Sequence, residues 1–336
     1  MNELTSIEIC AGAGGQALGL EQAGFDHLAL VEIDPWACET LRHNRPGWNV
    51  VGPVPTRPAV VGDGKPGDLR VFDASGFAGE VALLAGGVPC PPFSKAGKQL
   101  GSADSRDMFP EAIRLIAECQ PQSVMLENVR GLLDPKFSDY RNWIETQLDG
   151  LGYRSEWRLL HASSFGVPQL RPRAILVGLR DGLDDQFTWP EPNSLDPMSV
   201  GEALRQQMSA NGWEGAAEWA DRADRIAPTL VGGSKKHGGP DLGPTRAKKA
   251  WAALGVDGMG LANDVPARDF DGVPRLTVPM AAVIQGFPTT WEFMGPKTHA
   301  YRQVGNAFPP PVAAAVGSSI ATALSSAKIH AEPLAA

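Results

Sequence analysis

A cysteine, Cys90, sits in the stretch Gly86-Gly87-Val88-Pro89-Cys90-Pro91-Pro92-Phe93-Ser94, directly after the apolar run Val81-Ala82-Leu83-Leu84-Ala85. A deprotonated thiol is a nucleophile, and backbone stiffened by proline would hold it in place without helix or sheet pairing. The apolar run, bounded by glycines, predicts a buried strand followed by a rigid loop at its carboxyl end, where open α/β sheets keep their chemistry. On this loop alone, a small buried hydrophobe is an equal reading of the thiol. A second apolar run, Ser123 to Leu126, delivers Glu127 of Glu127-Asn128-Val129 to the same rim. Packing alone does not ask for two reactive side chains at the ends of two apolar strands. Arg171 and Arg173 precede a third such run, Ala174 to Leu179, and lie beside Gln169. Two residues apart on an extended segment, their guanidinium groups face one side, although surface arginines are usually solvated.

The elements that must position these groups can be followed along the chain. Ser6 to Cys10 predicts a short strand running into Ala11-Gly12-Ala13-Gly14-Gly15, with a helix over Gln16 to Ala23. Strand, glycine turn and helix open a Rossmann-like unit, although a simple tight turn gives the same string. A second strand, His27 to Glu32, ends in an acid placed to accept the hydroxyls of a ribose; a solvated loop acid is the other reading. Asp34-Pro35 then starts a helix with an N-cap and a proline at its first position. The span from Gly52 to Gly67 predicts a surface loop, Lys95 to Asp107 a mobile polar loop, and Phe109 to Cys119 a helix stopped by Pro121. Tyr140 to Leu151 predicts an amphipathic helix, Tyr153 to Leu160 a strand, and Val312 to Ala327 an Ala-rich helix returning to the cofactor loop.

Four blocks taken together resemble the DNA cytosine-5 methyltransferases. They are Gly-Val-Pro-Cys-Pro-Pro-Phe-Ser around Cys90, Glu127-Asn128-Val129, Gln169-Leu170-Arg171-Pro172-Arg173 and Gln303-Val304-Gly305-Asn306-Ala307, in the family's order from about Ser6 to Ser318. The resemblance implies S-adenosylmethionine as cofactor, held by Cys10, Ala11, Gly12, Gly14, Gly15, Glu32, Ile33, Asp68, Leu69 and Asn306. Asp68 would accept from the adenine amine with Leu69 packing on the ring; a surface turn is the alternative for Gly67-Asp68-Leu69. Asn306 would close the pocket around the cofactor or catalytic loop, or serve as a turn residue. Cys10 stands where the family usually has Phe, which removes an aromatic contact and marks Cys10 as a packing residue. The implied chemistry has Cys90 add to C6 of cytosine, Glu127 hydrogen-bond N3 with a held or shared proton, Arg173 hold O2, and Arg171 orient a phosphate or Glu127. The target base lies inside the stack and must be rotated out of the duplex.

The fold class expected is α/β, a Rossmann-like methyltransferase sheet with helices on both faces plus a smaller, irregular DNA-recognition domain. The catalytic domain would take residues 1–180 and 275–328, the recognition domain 181–274, and a frayed tail 329–336. The recognition segment is Gly- and Pro-rich with scattered tryptophans, and Pro228-Thr229-Leu230 resembles the family's Thr-Leu pair. Candidate DNA contacts are Ser94, Lys95, Lys98, Arg106, Gln169, Thr229, Lys235, Lys236 and Arg246, each as readily solvated when taken singly. Arg275-Leu276-Thr277 resembles a further motif whose usual Arg-Glu is Pro279-Met280 here. If Thr277 is an N-cap, Met280 is not expected to close a capping box.

At 336 residues, with 30 Lys and Arg against 38 Asp and Glu, the chain carries a formal net charge of -8, so any DNA contact must come from local basic patches. The four cysteines, Cys10, Cys38, Cys90 and Cys119, have no paired zinc spacing, which points to a reducing compartment and to no metal. The start lacks a basic and apolar signal, so a soluble cytoplasmic protein is expected. Expected partners are double-stranded DNA and no membrane, with room for a cognate restriction endonuclease that acts on the same site without contact; a monomer is expected. An RNA cytosine-5 methyltransferase and a non-catalytic DNA-binding homologue are the alternatives, the long 181–274 segment favouring duplex DNA.

Overall fold

A computed structural model of the chain describes residues 4–55, 66–89, 107–180, 182–192, 196–232 and 240–331. Among the described residues seven strands form one sheet: β1 (Thr5–Ile9), β2 (Asp26–Val31), β3 (Val50–Val51), β4 (Leu83–Gly87), β5 (Ser123–Val129), β6 (Tyr153–His161) and β7 (Pro172–Arg180). Their order is β3-β2-β1-β4-β5-β7-β6. Strands β1 to β5 pair with one another in parallel, and β7 runs antiparallel between β5 and β6. The strand order reverses between β1 and β4, so a crevice opens beyond their carboxyl ends.

Alternation along each strand assigns the two faces. Ile7, Ile9, Leu84, Val124 and Leu126 pack against α3 (Phe109–Cys119) and α4 (Ser138–Gly150), contributing to a core with Phe109, Ile116, Ile144 and Leu148. Leu83, Ala85, Met125 and Val177 turn the other way, toward Leu20 of α1 (Gly15–Gln22) and Val316, Ile320 and Leu324 of α10 (Pro310–Ala331). The expected sheet with helices on both faces is therefore present. Among the described residues one helical span, Lys297–Ser326, is long and apolar enough to cross a membrane by composition. It is a core helix here, since α10 lies on α1 and the sheet.

Boundaries differ from the sequence expectation in instructive places. β4 starts at Leu83 and continues through Gly86 and Gly87, which pair with Leu126 and Glu127 of β5. A Cβ on Gly86 would come within 2.7 Å of the Ile9 carbonyl oxygen, so only glycine lets the strand continue there. β5 also runs on to Val129 because β7 pairs with it as far as Arg173. α10 reaches Ala331, past the expected end at Ala327. α2 (Pro35–Asn44) starts as its sequence asks, with Asp34 accepting from the amides of Trp36 and Ala37.

The segment expected to be irregular holds α5 (Val200–Met208), α6 (Ala216–Arg222) and α7 (Thr245–Ala252). α5 opens on a capping box in which Ser199 and Glu202 bond each other's backbone amides at 3.1 and 2.7 Å, a Ser-x-x-Glu signal legible in the sequence. Trp219, Trp251, Leu204 and Leu254 from this segment share a core with Leu276, Met280, Tyr301 and Val304 of the returning chain. That chain forms α8 (Val278–Ile284) and α9 (Lys297–Asn306). The expectation that Met280 leaves the α8 box open is corrected. Thr277 Oγ1 accepts from the Met280 amide at 3.3 Å, and the Met280 sulfur accepts from the Thr277 amide at 3.5 Å. A thioether is a weak acceptor, but it is long enough to reach back one turn.

Candidate active site

The register of β4 with β5 places Gly87 opposite Glu127 at the rim of the crevice. Val88 and Pro89 continue from β4 toward Cys90, which lies outside the described residues, as do Ser94, Lys95, Lys98, Arg106, Lys235 and Lys236. The backbone leading to Cys90 is held from β5: Asn128 Nδ2 donates to the Val88 carbonyl at 2.8 Å, while Asn128 Oδ1 accepts from the Val129 amide. Met108 donates its amide to the Pro89 carbonyl at 3.2 Å, so the two residues flanking that stretch are tied together. Asp107 accepts from the Phe109 amide and from the Tyr140 hydroxyl, fixing the start of α3.

Glu127 meets Arg173 across the β5–β7 ladder, Nε to Oε1 at 2.6 Å, with both side chains nearly buried. A Cβ on Gly87 would lie 3.3 Å from Glu127 Oε2, so the second carboxylate oxygen faces the end of β4. An acceptor and a guanidinium are thus fixed beside the strand that leads to the thiol. Both line a cleft of about 700 Å3, together with the glycine turn, the ends of β2, β4 and β5, and α9.

The cofactor half of that cleft is built from the first two strands. Glu32 accepts from the Gly12 amide and from the Asp34 amide, each at 2.7 Å, so its carboxylate braces the glycine turn against the end of β2. Burial pushes the Glu32 carboxyl above its ordinary range, and the hydrogen bonds from Asp34 and Gly12 oppose that shift. Each of its oxygens keeps a second lone pair for a ligand. Cys10 sits in the turn with φ 52°, a left-handed conformation uncommon for a residue with a side chain. Burial and the nearby Glu32 push its thiol pKa upward, which suits packing and not nucleophilic attack. Ile33 is half exposed over the cleft and Leu69 is buried in its wall. Asp68 pairs with Arg70 through both carboxylate oxygens at 2.9 and 2.7 Å, a partner the sequence reading did not include. Asn306 is exposed at the end of α9 on the cleft lining.

Two expected ligand contacts turn inward. Arg171, expected to orient a phosphate or Glu127, is fully buried and donates to the carbonyls of Leu230, Gly305 and Ala307 at 2.8, 2.9 and 2.9 Å. Burial foremost, then the neighbouring Arg173, holds its pKa well below the ordinary guanidinium value. Gln169, expected on DNA, is also fully buried: it donates to Gln285 Oε1 at 2.7 Å and accepts from the Leu230 amide at 2.8 Å. Arg171 thereby pins the chain at Leu230 to the Gly305–Ala307 turn, and Gln169 ties the same chain to Gln285, whose own amide donates to the Ala307 carbonyl. Thr229 lines the cleft and donates its hydroxyl to the Leu170 carbonyl, and Arg246 is exposed on α7.

Residues the sequence reading missed also line the cleft. Gln16, the first residue after the glycine turn, is 4% exposed, yet neither its amide nitrogen nor its amide oxygen has a hydrogen-bond partner among the described residues. Arg302 Nε and His299 Nδ1 on α9 are likewise buried without partners. Their signal was positional, since Gln16 abuts the glycines and Arg302 lies one turn before Asn306. Among the described residues no group of three His, Cys, Asp or Glu could hold a metal.

Comparison with known proteins agrees with this geometry. A family model described as C-5 cytosine-specific DNA methylase matches residues 4–322. The type II methyltransferase M.NgoMIV of Neisseria gonorrhoeae is 54% identical over 325 residues, covering 96% of this chain and 98% of that protein. M.NaeI of Lentzea aerocolonigenes is 55% identical over 327 residues, covering 96% and 76% respectively. Among solved structures, a Spodoptera frugiperda DNMT2 mutant superposes with a TM-score of 0.63 at 18% identity, covering 94% of this chain and 99% of that one. The Entamoeba histolytica methyltransferase EhMeth gives 0.64 at 12% identity, covering 95% and 98%. At such identities the two structures speak for the fold alone.

Proposed function

This chain belongs to the C-5 cytosine-specific DNA methylase family, and from that membership we propose that it methylates C5 of a flipped-out cytosine in a specific duplex sequence through a covalent bond from Cys90. The observation that carries the reading is the Glu127–Arg173 pair, 2.6 Å apart, fixed on β5 and β7 beside the strand that runs directly into Cys90.

C5 of cytosine is a poor nucleophile until the ring's aromaticity is broken. The Cys90 thiolate adds to C6, and the negative charge that develops toward N3 and O2 is met by the two groups already paired. Glu127 hydrogen-bonds N3, supplying or sharing a proton, while Arg173 holds O2 and keeps Glu127 aimed. Once C5 carries its new methyl group and has lost its proton, Cys90 leaves C6. Asn128 serves by fixing the Val88 carbonyl two residues before the nucleophile.

The residues fit S-adenosylmethionine as donor: the glycine turn braced by Glu32 admits a ligand close to the backbone, no phosphate needs neutralising, and the orphaned amide of Gln16 lines the cleft. When bound, it supplies an electrophilic methyl group on its sulfonium. Glu32 would hold the ribose hydroxyls, Ile33 and Leu69 would sandwich the adenine, and Asp68 would accept from its amine after sharing or releasing Arg70. The biological setting that fits best is a soluble, cytoplasmic, monomeric enzyme of a type II restriction-modification system or an orphan methylase, with residues 181–274 reading the target.

A target duplex carrying 5-fluorocytosine distinguishes this mechanism, because fluorine cannot leave C5 as a proton. Wild-type enzyme with S-adenosylmethionine is expected to form a covalent adduct that survives denaturation, and Cys90→Ala to form none. Methyl transfer from labelled cofactor to plasmid is expected to exceed that to tRNA; transfer to neither, or equal background from both proteins, overturns the proposal.

A further inference from the structure

The glycine turn has little conformational restraint of its own. Cys10, Gly12 and Gly14 take positive φ, at 52°, 57° and 86°, and glycine loses more freedom on being fixed than any other residue. Such a turn keeps one shape only where its peptide groups are bonded from outside. Glu32 accepts from the Gly12 amide. The peptide between Ala13 and Gly14 is held at both edges. Its amide donates to the Ala11 carbonyl at 3.1 Å, and its carbonyl, on the opposite edge of the trans plane, accepts from Trp291 Nε1 at 3.2 Å, 278 residues along the chain. Trp291 comes from the segment between α8 and α9 and is 5% exposed. Its ring lies behind the turn: a Cβ on Gly14 would come within 2.9 Å of Trp291 Cζ2, whereas one on Gly12 would meet nothing within 4 Å. Ala11, Gly12, Ala13 and Gly15 line the cleft, so the turn has an open face toward it and a back face closed by the indole. Other contacts seat the indole independently. Glu292 and Asn44 of α2 exchange hydrogen bonds at 2.9 and 2.7 Å, and the Met294 amide donates to Thr40 Oγ1 at 2.9 Å. Arg45, at the end of α2, lies 5.4 Å from the Trp291 ring and pairs with Glu21 of α1 through both carboxylate oxygens. Filling the core therefore does not by itself ask the indole N–H to meet the Ala13 carbonyl.

We infer that Trp291 is a positioning residue for the methyl donor: its N–H fixes the Ala13 peptide, and with it the cleft face of the turn, in the conformation that receives the ligand. The inference rests on the donor assigned above and goes beyond it, because Trp291 acts from behind the turn and not on the ligand. A turn already in its bound shape spares the ordering cost of binding. Trp291 also belongs to the core that holds Trp219 and Trp251 of the 181–274 segment. The chain returning from that segment thus sets the shape of a turn at the start of the first helix.

Calorimetric titration with S-adenosylhomocysteine, in the absence of DNA, measures the effect. Trp291→Phe keeps an aromatic ring and removes the donor. It is expected to weaken binding by about five-fold, the share of one ordinary hydrogen bond. KM for S-adenosylmethionine is expected to rise by about the same factor while kcat stays within about two-fold, because Glu127 and Arg173 are untouched. Trp219→Phe is the control, since Trp219 belongs to the same core and donates its Nε1 to the Gly255 carbonyl at 2.9 Å, outside the turn. It is expected to lose comparable stability in urea and yet to bind S-adenosylhomocysteine within about two-fold of wild type. Should Trp291→Phe not fold, β-(3-benzothienyl)alanine at position 291, with sulfur in place of the N–H, fills the same volume and carries the same expectation. Unchanged affinity in the position-291 variants, equal weakening in Trp291→Phe and Trp219→Phe, or a fall in kcat at unchanged KM overturns the inference. Failure of wild-type enzyme to bind S-adenosylhomocysteine would instead overturn the donor itself.

Discussion

Arg171 and Arg173 belong to one short motif and have opposite fates. Their spacing placed both guanidinium groups on one side of an extended segment, and burial of Arg171 near Glu127 and Arg173 agrees with that. Spacing does not say how deep a side chain lies, however. The Gly305–Ala307 turn comes down over Arg171, whereas Arg173 emerges onto Glu127. The two arginines should therefore fail differently when replaced. Arg173→Lys and Glu127→Gln are expected to fold normally and to lower kcat by about 10²–10⁴-fold, the range for a displaced acid or electrostatic donor; single-turnover methylation of a target duplex measures it. Arg171→Met is expected to act on stability, since it leaves the carbonyls of Leu230 and Gly305 buried and unmatched, while that of Ala307 keeps its bond from the Gln285 amide. At about 1–3 kcal/mol for each orphaned group the loss should reach about 2 kcal/mol or more, read from urea unfolding.

At the scale of elements, local signals were reliable wherever a residue's own chemistry made the element: Asp34-Pro35 starting α2, the glycine turn before α1, and the apolar runs that became β4, β5 and β7. The signals gave less where a partner decides. Gly86 and Gly87 read as the end of a strand, yet the neighbouring β5 keeps them in the ladder. Glu8 is a sharper case. In sequence it is one polar residue inside β1, and in the structure it is fully buried with neither carboxylate oxygen hydrogen-bonded, 3.5 Å from His27 Nδ1 on β2. Burial pushes the Glu8 carboxyl well above its ordinary range and lowers the His27 imidazole. A folded state that holds the Glu8 proton more tightly than the unfolded chain is favoured below the ordinary carboxylate range. That advantage is lost as pH rises from there toward the raised value. His27 works in the opposite sense, with stability lost as pH falls below its ordinary value of 6.5. Glu8→Gln mimics the protonated acid, so wild type and variant are expected to melt alike near pH 4. Their midpoints should separate by several degrees in favour of the variant by pH 8; calorimetric scans across that range check the trend.

For the molecule as a whole, the sheet and its two helical layers were legible because parallel strands buried on both faces read as unbroken apolar runs. The 181–274 segment was not, since its helices are short and their apolar residues answer to α8 and α9, far along the chain, and not to a period of their own. That shared core holds α7 through Trp251, and the Thr229–Gly232 strip lines the cleft that contains Glu127. A chain of net charge -8 repels a duplex at long range, so affinity must come from a few cations concentrated on that side. Arg246 is exposed on α7, while Lys248 on the same helix is neutralised by Asp241 at 2.7 Å. Arg246 should then contact a phosphate and carry no sequence information, which makes its removal distinguishable from loss of a base contact. Arg246→Ala is expected to weaken target and non-target duplexes by the same factor and to reduce the slope of log K against log salt by about 0.9, one phosphate contact's share of counterion release. Lys248→Ala is expected to leave that slope unchanged. Fluorescence anisotropy titrations between about 50 and 200 mM salt measure both slopes, and a loss confined to the target sequence would move Arg246 from the backbone to the bases.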